Sequence, residues 1–289
     1  MSQDYFGTEV DLRNIRLWLF DLDGTIYKEE RLFDGALDLL QIIKYYGGRY
    51  VFITNNSSKS VTDYIEKVNK LGIPAEEDSF FTSSQATILW LEKNRPNCKV
   101  YCQGTKSLVM ELKKAGIYVT EKVEDVDVVL VGFDTELTTK KLETTCKILS
   151  TQEVTYIATN PDMVCPVIFG FVPDCGSICE MIRHATGKWP FFIGKPQSMM
   201  IDIIMEKFNY RCDETVVVGD RLYTDIATGV NAGTDTICVL TGEATISDII
   251  SGDIKPTYTF ESVKELYYTL SEDLKNLDNI EANNINRKT

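Results

Sequence analysis

The chain has 289 residues, enough for two domains or for one domain carrying a large insertion. Its 44% hydrophobic and 25% charged residues are those of an ordinary globular protein, and no run nears the roughly 20 apolar residues of a membrane span. The formal net charge of -13 opposes binding to nucleic-acid backbones, which takes clustered Lys and Arg, and would repel phosphate esters unless a site supplied local positive potential.

At the N-terminus, Met1-Ser2-Gln3-Asp4 offers no basic segment leading into an apolar core, so a cytoplasmic protein is expected. The apolar run Leu17-Trp18-Leu19-Phe20 reads as a buried strand, and it ends in Asp21-Leu22-Asp23-Gly24-Thr25. Two carboxylates crowded at a strand end repel each other and are poorly solvated. A cation and a phosphoryl group would offset that cost. One carboxylate could then attack phosphorus while the other handled the leaving-group proton. Alone, the same five residues also make an ordinary Asp-Gly turn.

Helical patterns follow at 34–46 and 59–71, on either side of Tyr50-Val51-Phe52-Ile53, a strand-like run that leads into Thr54-Asn55-Asn56-Ser57-Ser58. Further helical stretches at 84–93, 108–115, 140–149 and 177–185 alternate with strand candidates at 100–101, 118–120, 126–131 and 155–158. Phe191-Phe192-Ile193 then runs into Gly194-Lys195-Pro196, before a helix at 197–208. Thr215-Val216-Val217-Val218 runs into Gly219-Asp220-Arg221, with Asp225 opening a helix that reaches 232. Strands at 236–240 and 257–260 and a helix at 263–270 complete the pattern, and glycines 47–48, 72, 116, 187 and 233 stand just past helix ends.

This βαβ rhythm makes a doubly wound parallel sheet the expected core. Ligands of such sheets bind outside the carboxyl ends of the strands. If the four motif-bearing strands share one sheet, they gather two acids, a hydroxyl, a lysine and a third acid at one rim. The intervening segment would form a separate mixed-sheet layer over the strand ends. The expected organisation is a core of 1–82 and 187–270, an inserted α/β cap of 83–186, and a polar, disordered tail of 271–289.

The eight cysteines form no C-x-x-C pair and are expected to be reduced and mostly buried. The single histidine, His184, removes His-dependent triads and multi-histidine metal sites, and belongs in the last turn of a helix. No G-x-G-x-x-G or Walker-type loop is present.

Asp21-x-Asp23-Gly24-Thr25, Thr54-Asn55, Lys195-Pro196 and Gly219-Asp220 with Asp225, in this order, resemble the four motifs of the haloacid dehalogenase superfamily. The long insertion, with Ala158-Thr159-Asn160-Pro161-Asp162 and Pro173-x-Cys175-Gly176-Ser177, resembles subfamily IIA, the NagD-like and 4-nitrophenylphosphatase branch. Asp174-Cys175-Gly176 replaces the Gly-x-Gly frequent in that branch, and Thr139 stands where a tyrosine is frequent.

The resemblance implies a Rossmann-like core with a C2-type cap and a Mg2+-dependent phosphatase. Asp21 would be the nucleophile and Asp23 the general acid and base. Thr54 and the Asn55 backbone would bind phosphoryl oxygens, and Lys195 would offset charge. Asp21, Asp220 and the Asp23 carbonyl would hold Mg2+, with Asp225 beside them orienting a metal-bound water; as an acid near a helix start, Asp225 also has a purely structural reading through the helix dipole. Gly24 and Gly194 would let the backbone approach phosphate. Asn160 and Asp162 either contact the leaving group or make an Asn-Pro-Asp turn.

The partner expected is a small phosphorylated metabolite, with no nucleic acid or membrane, and the cap could support a homo-oligomer. A phosphotransferase or mutase of the same superfamily, and a non-catalytic sensor of a phosphorylated metabolite, remain alternatives.

Overall fold

The computed structural model describes residues 3–167 and 169–272, so the expected tail falls outside it except for 271–272, which extend a helix begun at 263. The described residues divide into two compact units, one of 3–53, 68–79 and 201–272, the other of 54–67 and 80–200. This division departs from the expected boundaries by grouping 54–67, 80–82 and 187–200 with the insertion.

In the first unit, β1 (Leu17–Phe20), β4 (Arg49–Thr54), β13 (Thr215–Gly219), β14 (Asp235–Val239) and β15 (Tyr258–Phe260) stand in the order β15-β14-β13-β1-β4. Every pairing is parallel. All four residues of β1 and all five of β13 are buried, which is why these runs lack polar alternation. The chain leaves β1 to one side for β4 and returns on the other side for β13. The switch in winding therefore falls between β1 and β13, the position at which open sheets of this kind bind ligands. Phe20 is in register with Val218, so Asp21 and Asp220 leave the sheet at the same edge.

Two pieces of this unit are not evident from apolar periodicity. The hairpin of β2 (Tyr27–Lys28) and β3 (Arg31–Leu32) is too short to show a pattern. Helix α9 (Ile246–Ser251) carries a Thr245–Asp248 capping box, a signal present in the sequence and overlooked there. Helices α1 (Ala36–Tyr45) and α8 (Ala227–Ala232) lie within the expected stretches. Gly233 closes α8 in the left-handed region at φ 73°, where a side chain is disfavoured.

In the second unit, β6 (Lys99–Gln103), β7 (Tyr118–Val119), β8 (Val128–Val131), β9 (Thr155–Ala158) and β12 (Phe191–Phe192) form a second sheet in the order β12-β9-β8-β6-β7. It is parallel throughout, which corrects the expected mixed sheet. Helical crossovers such as α4 (Lys106–Lys114) and α5 (Thr139–Thr151) leave consecutive strands running the same way. Antiparallel pairing in this unit is confined, among the described residues, to the hairpin of β10 (Val164–Val167) and β11 (Gly170–Pro173).

The strand before Lys195 is also corrected. Phe191 and Phe192 pair with Ile157 and Ala158 of β9, so this run belongs to the second sheet and does not share one sheet with the other three motif strands. Two residues of ladder cannot show in a sequence which partner they take.

Val129, Val131, Ile148, Leu149 and Ile178 fill the core beneath this sheet together with the smaller Ala158, each Val, Leu or Ile side chain contributing about 1.5–3 kcal/mol when fully buried. Cys175 and Cys179, on α6 (Cys175–Thr186), are part of it, and burial pushes the Cys102 thiol on β6 up to about 12. The described cysteines are free thiols. His184 lies in the last turn of α6, 3.8 Å from Glu180.

Burial pushes the Glu111 carboxyl, on α4, up to about 6 from an ordinary 4.5, with Asp63 adding to the rise and Ser84 and Lys114 opposing it. The folded chain thus holds this proton more tightly than the unfolded chain. Its contribution is complete below about pH 4.5 and is lost as pH rises through about 6. Glu111→Gln should be more stable than the parent by roughly 1–2 kcal/mol at pH 7.5, the gap closing near pH 4. Urea melts at both pH values check this, and an equal gap at both would refute it.

Among the described residues, no helix is long and apolar enough to cross a membrane.

Candidate active site

The first unit brings three of the expected acids together. One carboxylate oxygen each from Asp21, Asp220 and Asp225 lies within 4.8 Å of the others. Asp21 is partly buried, while Asp220 and Asp225 are 3% and 1% exposed. At that separation each pair of charges repels by roughly 3 kcal/mol at an effective dielectric near 20, so the trio favours a cation. The donors are all hard oxygens, which suit Mg2+ rather than a soft-ligand metal. The Asp23 carboxylate is outside the trio, and its Oδ2 accepts a 3.3 Å hydrogen bond from the Tyr27 hydroxyl.

Three glycines shape this cluster. A Cβ at Gly24 (φ 91°) would come within 2.6 Å of Asp220 Oδ2, one at Gly242 within 1.9 Å of the same atom, and one at Gly219 within 2.2 Å of Asp225 Cβ. Gly24 is therefore required by a neighbouring carboxylate. Gly242 went unnoticed in the sequence. Its position just past the carboxyl end of β14 was the available signal, since Asp220 sits past the end of the adjacent β13. The Glu243 N–H donates to Asp220 Oδ2 at 2.8 Å and the Thr25 hydroxyl to Oδ1 at 3.5 Å.

Asp225 does not open an α-helix. It lies inside a π-helical turn, Leu222–Ile226, that precedes α8. The wider turn carries Asp225 inward, where its Oδ2 accepts the Arg221 N–H at 3.1 Å.

The second unit gathers the other motif residues. Thr54 ends β4 and is 6% exposed, its hydroxyl accepting the Asn56 N–H at 3.2 Å. Lys195 is 2% exposed, so it is not a solvated loop lysine. The Asn55 side chain accepts the Lys195 N–H at 2.8 Å and donates to the Lys195 carbonyl at 3.0 Å and to Asp162 Oδ2 at 2.7 Å. Asn160 donates to the same Asp162 oxygen at 2.8 Å and to Asp174 Oδ1 at 3.2 Å. Asn160 and Asp162 are thus buried in a hydrogen-bond network.

A Cβ at Gly194 would fall 2.5 Å from Asn55 Oδ1, so the Asn55 side chain requires this glycine. The loop after Thr54 is fastened at two more points. The Ser57 hydroxyl accepts the Phe133 N–H at 2.9 Å and lies 2.9 Å from the Thr159 hydroxyl, while the Ser83 hydroxyl donates to the Asn55 carbonyl at 2.6 Å.

Residues 18–118 match the profile of the haloacid dehalogenase-like hydrolases, and residues 192–266 match a second profile of HAD-like hydrolases. The chain is 34% identical to an acid sugar phosphatase of Staphylococcus epidermidis over 87% of its own length and 96% of that protein. A 4-nitrophenylphosphatase from Thermotoga maritima superposes with a TM-score of 0.84 at 38% identity, covering 89% of this chain and 98% of that one. A glycerol phosphate phosphatase from Mycobacterium tuberculosis, solved with magnesium, superposes with a TM-score of 0.83 at 28% identity, covering 89% and 78%. The chain belongs to the haloacid dehalogenase-like hydrolase family. Within it, this is a phosphoric monoester hydrolase of the NagD and 4-nitrophenylphosphatase branch, as the motifs implied.

Proposed function

We propose that the chain is a Mg2+-dependent phosphatase of small phosphomonoesters (nucleotides, sugar phosphates or phosphoglycolate-like acids) that works through a phosphorylated Asp21. The convergence of Asp21, Asp220 and Asp225 within 4.8 Å carries this reading. Relatives named for sugar phosphate and glycerol phosphate, one of them solved with magnesium, support it. Asp21, Asp220 and the Asp23 carbonyl are the groups assigned to the ion, with Asp225 beside them. When bound, the ion offsets the charge of these acids and of the phosphoryl oxygens.

In the first step an Asp21 oxygen attacks phosphorus, and the bond from phosphorus to the ester oxygen breaks. Asp23, protonated at this stage, gives its proton to the departing alcohol. As a carboxylate it then takes a proton from water, whose oxygen attacks phosphorus as the bond to Asp21 breaks. Phosphate leaves and both acids are restored. Thr54 and the Asn55 N–H hold phosphoryl oxygens, and Lys195 offsets their charge. The restriction to small esters is assigned to the 83–186 segment.

Rapid acid quench with a 32P-labelled ester tests the covalent step: the label should appear on the peptide containing Asp21. Steady turnover with no labelled protein at any time point would remove it. Equal kcat/KM for small esters and for a phosphoprotein would remove the restriction to small substrates.

A further inference from the structure

We propose that the side chains of Asn55 and Asp162 are positioning groups for Lys195: they hold the lysine in place without themselves touching substrate. The inference rests on the phosphatase reading in one respect, that Lys195 serves the phosphoryl group.

One primary amide grips Lys195 on both sides of its Cα. Asn55 Oδ1 accepts the Lys195 N–H at 2.8 Å, and Asn55 Nδ2 donates to the Lys195 carbonyl at 3.0 Å. The second hydrogen of Nδ2 goes to Asp162 Oδ2 at 2.7 Å, so both amide donors have acceptors. Asp162 fixes which way the amide faces. Turned over, Asn55 would set its oxygen against the Asp162 carboxylate and the Lys195 carbonyl, and its NH2 against the Lys195 N–H. Buried polar groups left unmatched in this way are strongly penalised, so one orientation prevails.

Asp162 is steadied in turn by Asn160, whose Nδ2 reaches Asp162 Oδ2 at 2.8 Å and Asp174 Oδ1 at 3.2 Å. Asp174 caps α6, accepting the Cys175 N–H, so the chain of bonds ends on a rigid element. Asn55, Asn160 and Asp162 are 7%, 0% and 2% exposed. They have almost no surface to offer a leaving group, but they meet the lysine's backbone directly. A lysine carries its charge on a flexible four-carbon stem, so the ammonium is only as well placed as its Cα. A shift of about 1 Å in a reacting group can cost about a hundredfold in rate.

The test is a double-mutant cycle of Asp162→Ala against Lys195→Ala, assayed with 4-nitrophenyl phosphate and with glycerol 2-phosphate. Asp162→Ala should lower kcat by about tenfold to a hundredfold, by the same factor on both esters, with KM within about twofold. Added to Lys195→Ala, it should cost less than about twofold more, because its target is gone. Should Asp162→Ala fold poorly, the isosteric Asn55→Asp, which loses the donor pair, runs the same cycle with the same expectation. Losses that multiply in the Lys195→Ala background would overturn the inference, as would a loss that differs between esters, since that marks leaving-group contact. If Lys195→Ala alone keeps full kcat, the assignment of Lys195 in the phosphatase reading fails, and this inference with it.

Discussion

Asp21→Asn should abolish turnover of 4-nitrophenyl phosphate, lowering kcat by about four orders of magnitude or more while the fold persists. Asparagine matches aspartate in size, so its cost falls on chemistry. A carboxylate is anionic at neutral pH and attacks without a base, whereas an amide oxygen is a poor nucleophile whose phosphorylated product has no comparable stability. The trio at Asp21, Asp220 and Asp225 would lose one of three charges at the same time, which relieves repulsion. The variant should therefore melt at the same temperature as the parent or higher. Steady-state kinetics and a thermal melt together check this, and a variant retaining a tenth of the parent's kcat would displace Asp21 from the role of nucleophile.

Gly242→Ala should raise the Mg2+ concentration for half-maximal activity by about tenfold to a hundredfold, and lower kcat at saturating ester. The methyl group would start 1.9 Å from Asp220 Oδ2 and 2.6 Å from Asp220 Cβ, so rotating the carboxylate does not clear it. Asp220 must shift, and it carries the 2.8 Å bond from the Glu243 N–H with it. Gly242 has no left-handed backbone to protect, so the penalty is the close approach alone. Overpacking of this kind costs about 1–3 kcal/mol, which a two-unit protein can survive. Magnesium titration of initial rates reads the effect, and an unchanged half-saturation point would mean that Asp220 does not govern metal affinity.

The sequence made the first unit's chemistry legible because strong signals coincided. Fully apolar four- and five-residue runs mark buried parallel strands, and acids at their ends then fall on one edge whatever the details of packing. The register of Phe20 with Val218 bears this out for Asp21 and Asp220. Where the signal was two residues long, it failed. Phe191-Phe192 could not announce that its partner is β9, and the sheet holding Lys195 was misassigned. Asn160 and Asp162 read equally well as a turn or as ligands, because a sequence shows donors and acceptors without showing which are already matched. Asp225 reads as a helix-opening acid, and the π-helical turn that draws it inward has no composition of its own.

The fastening of the loop after Thr54 bears on how relatives of this chain could be recombined. Ser57 is tied to Phe133 and Thr159, Asn55 to Ser83 and Lys195, all within the unit that also contains the insertion. An insertion borrowed from a homologue would arrive without its matching hydroxyls and amides if the splice followed motif boundaries. Hybrids that move 54–67 and 80–200 as one block should stay soluble and melt cooperatively, whereas those exchanged at 83 and 186 should not. Selectivity in this lineage would then be inherited together with part of the reaction machinery, and could not be swapped as a detachable accessory.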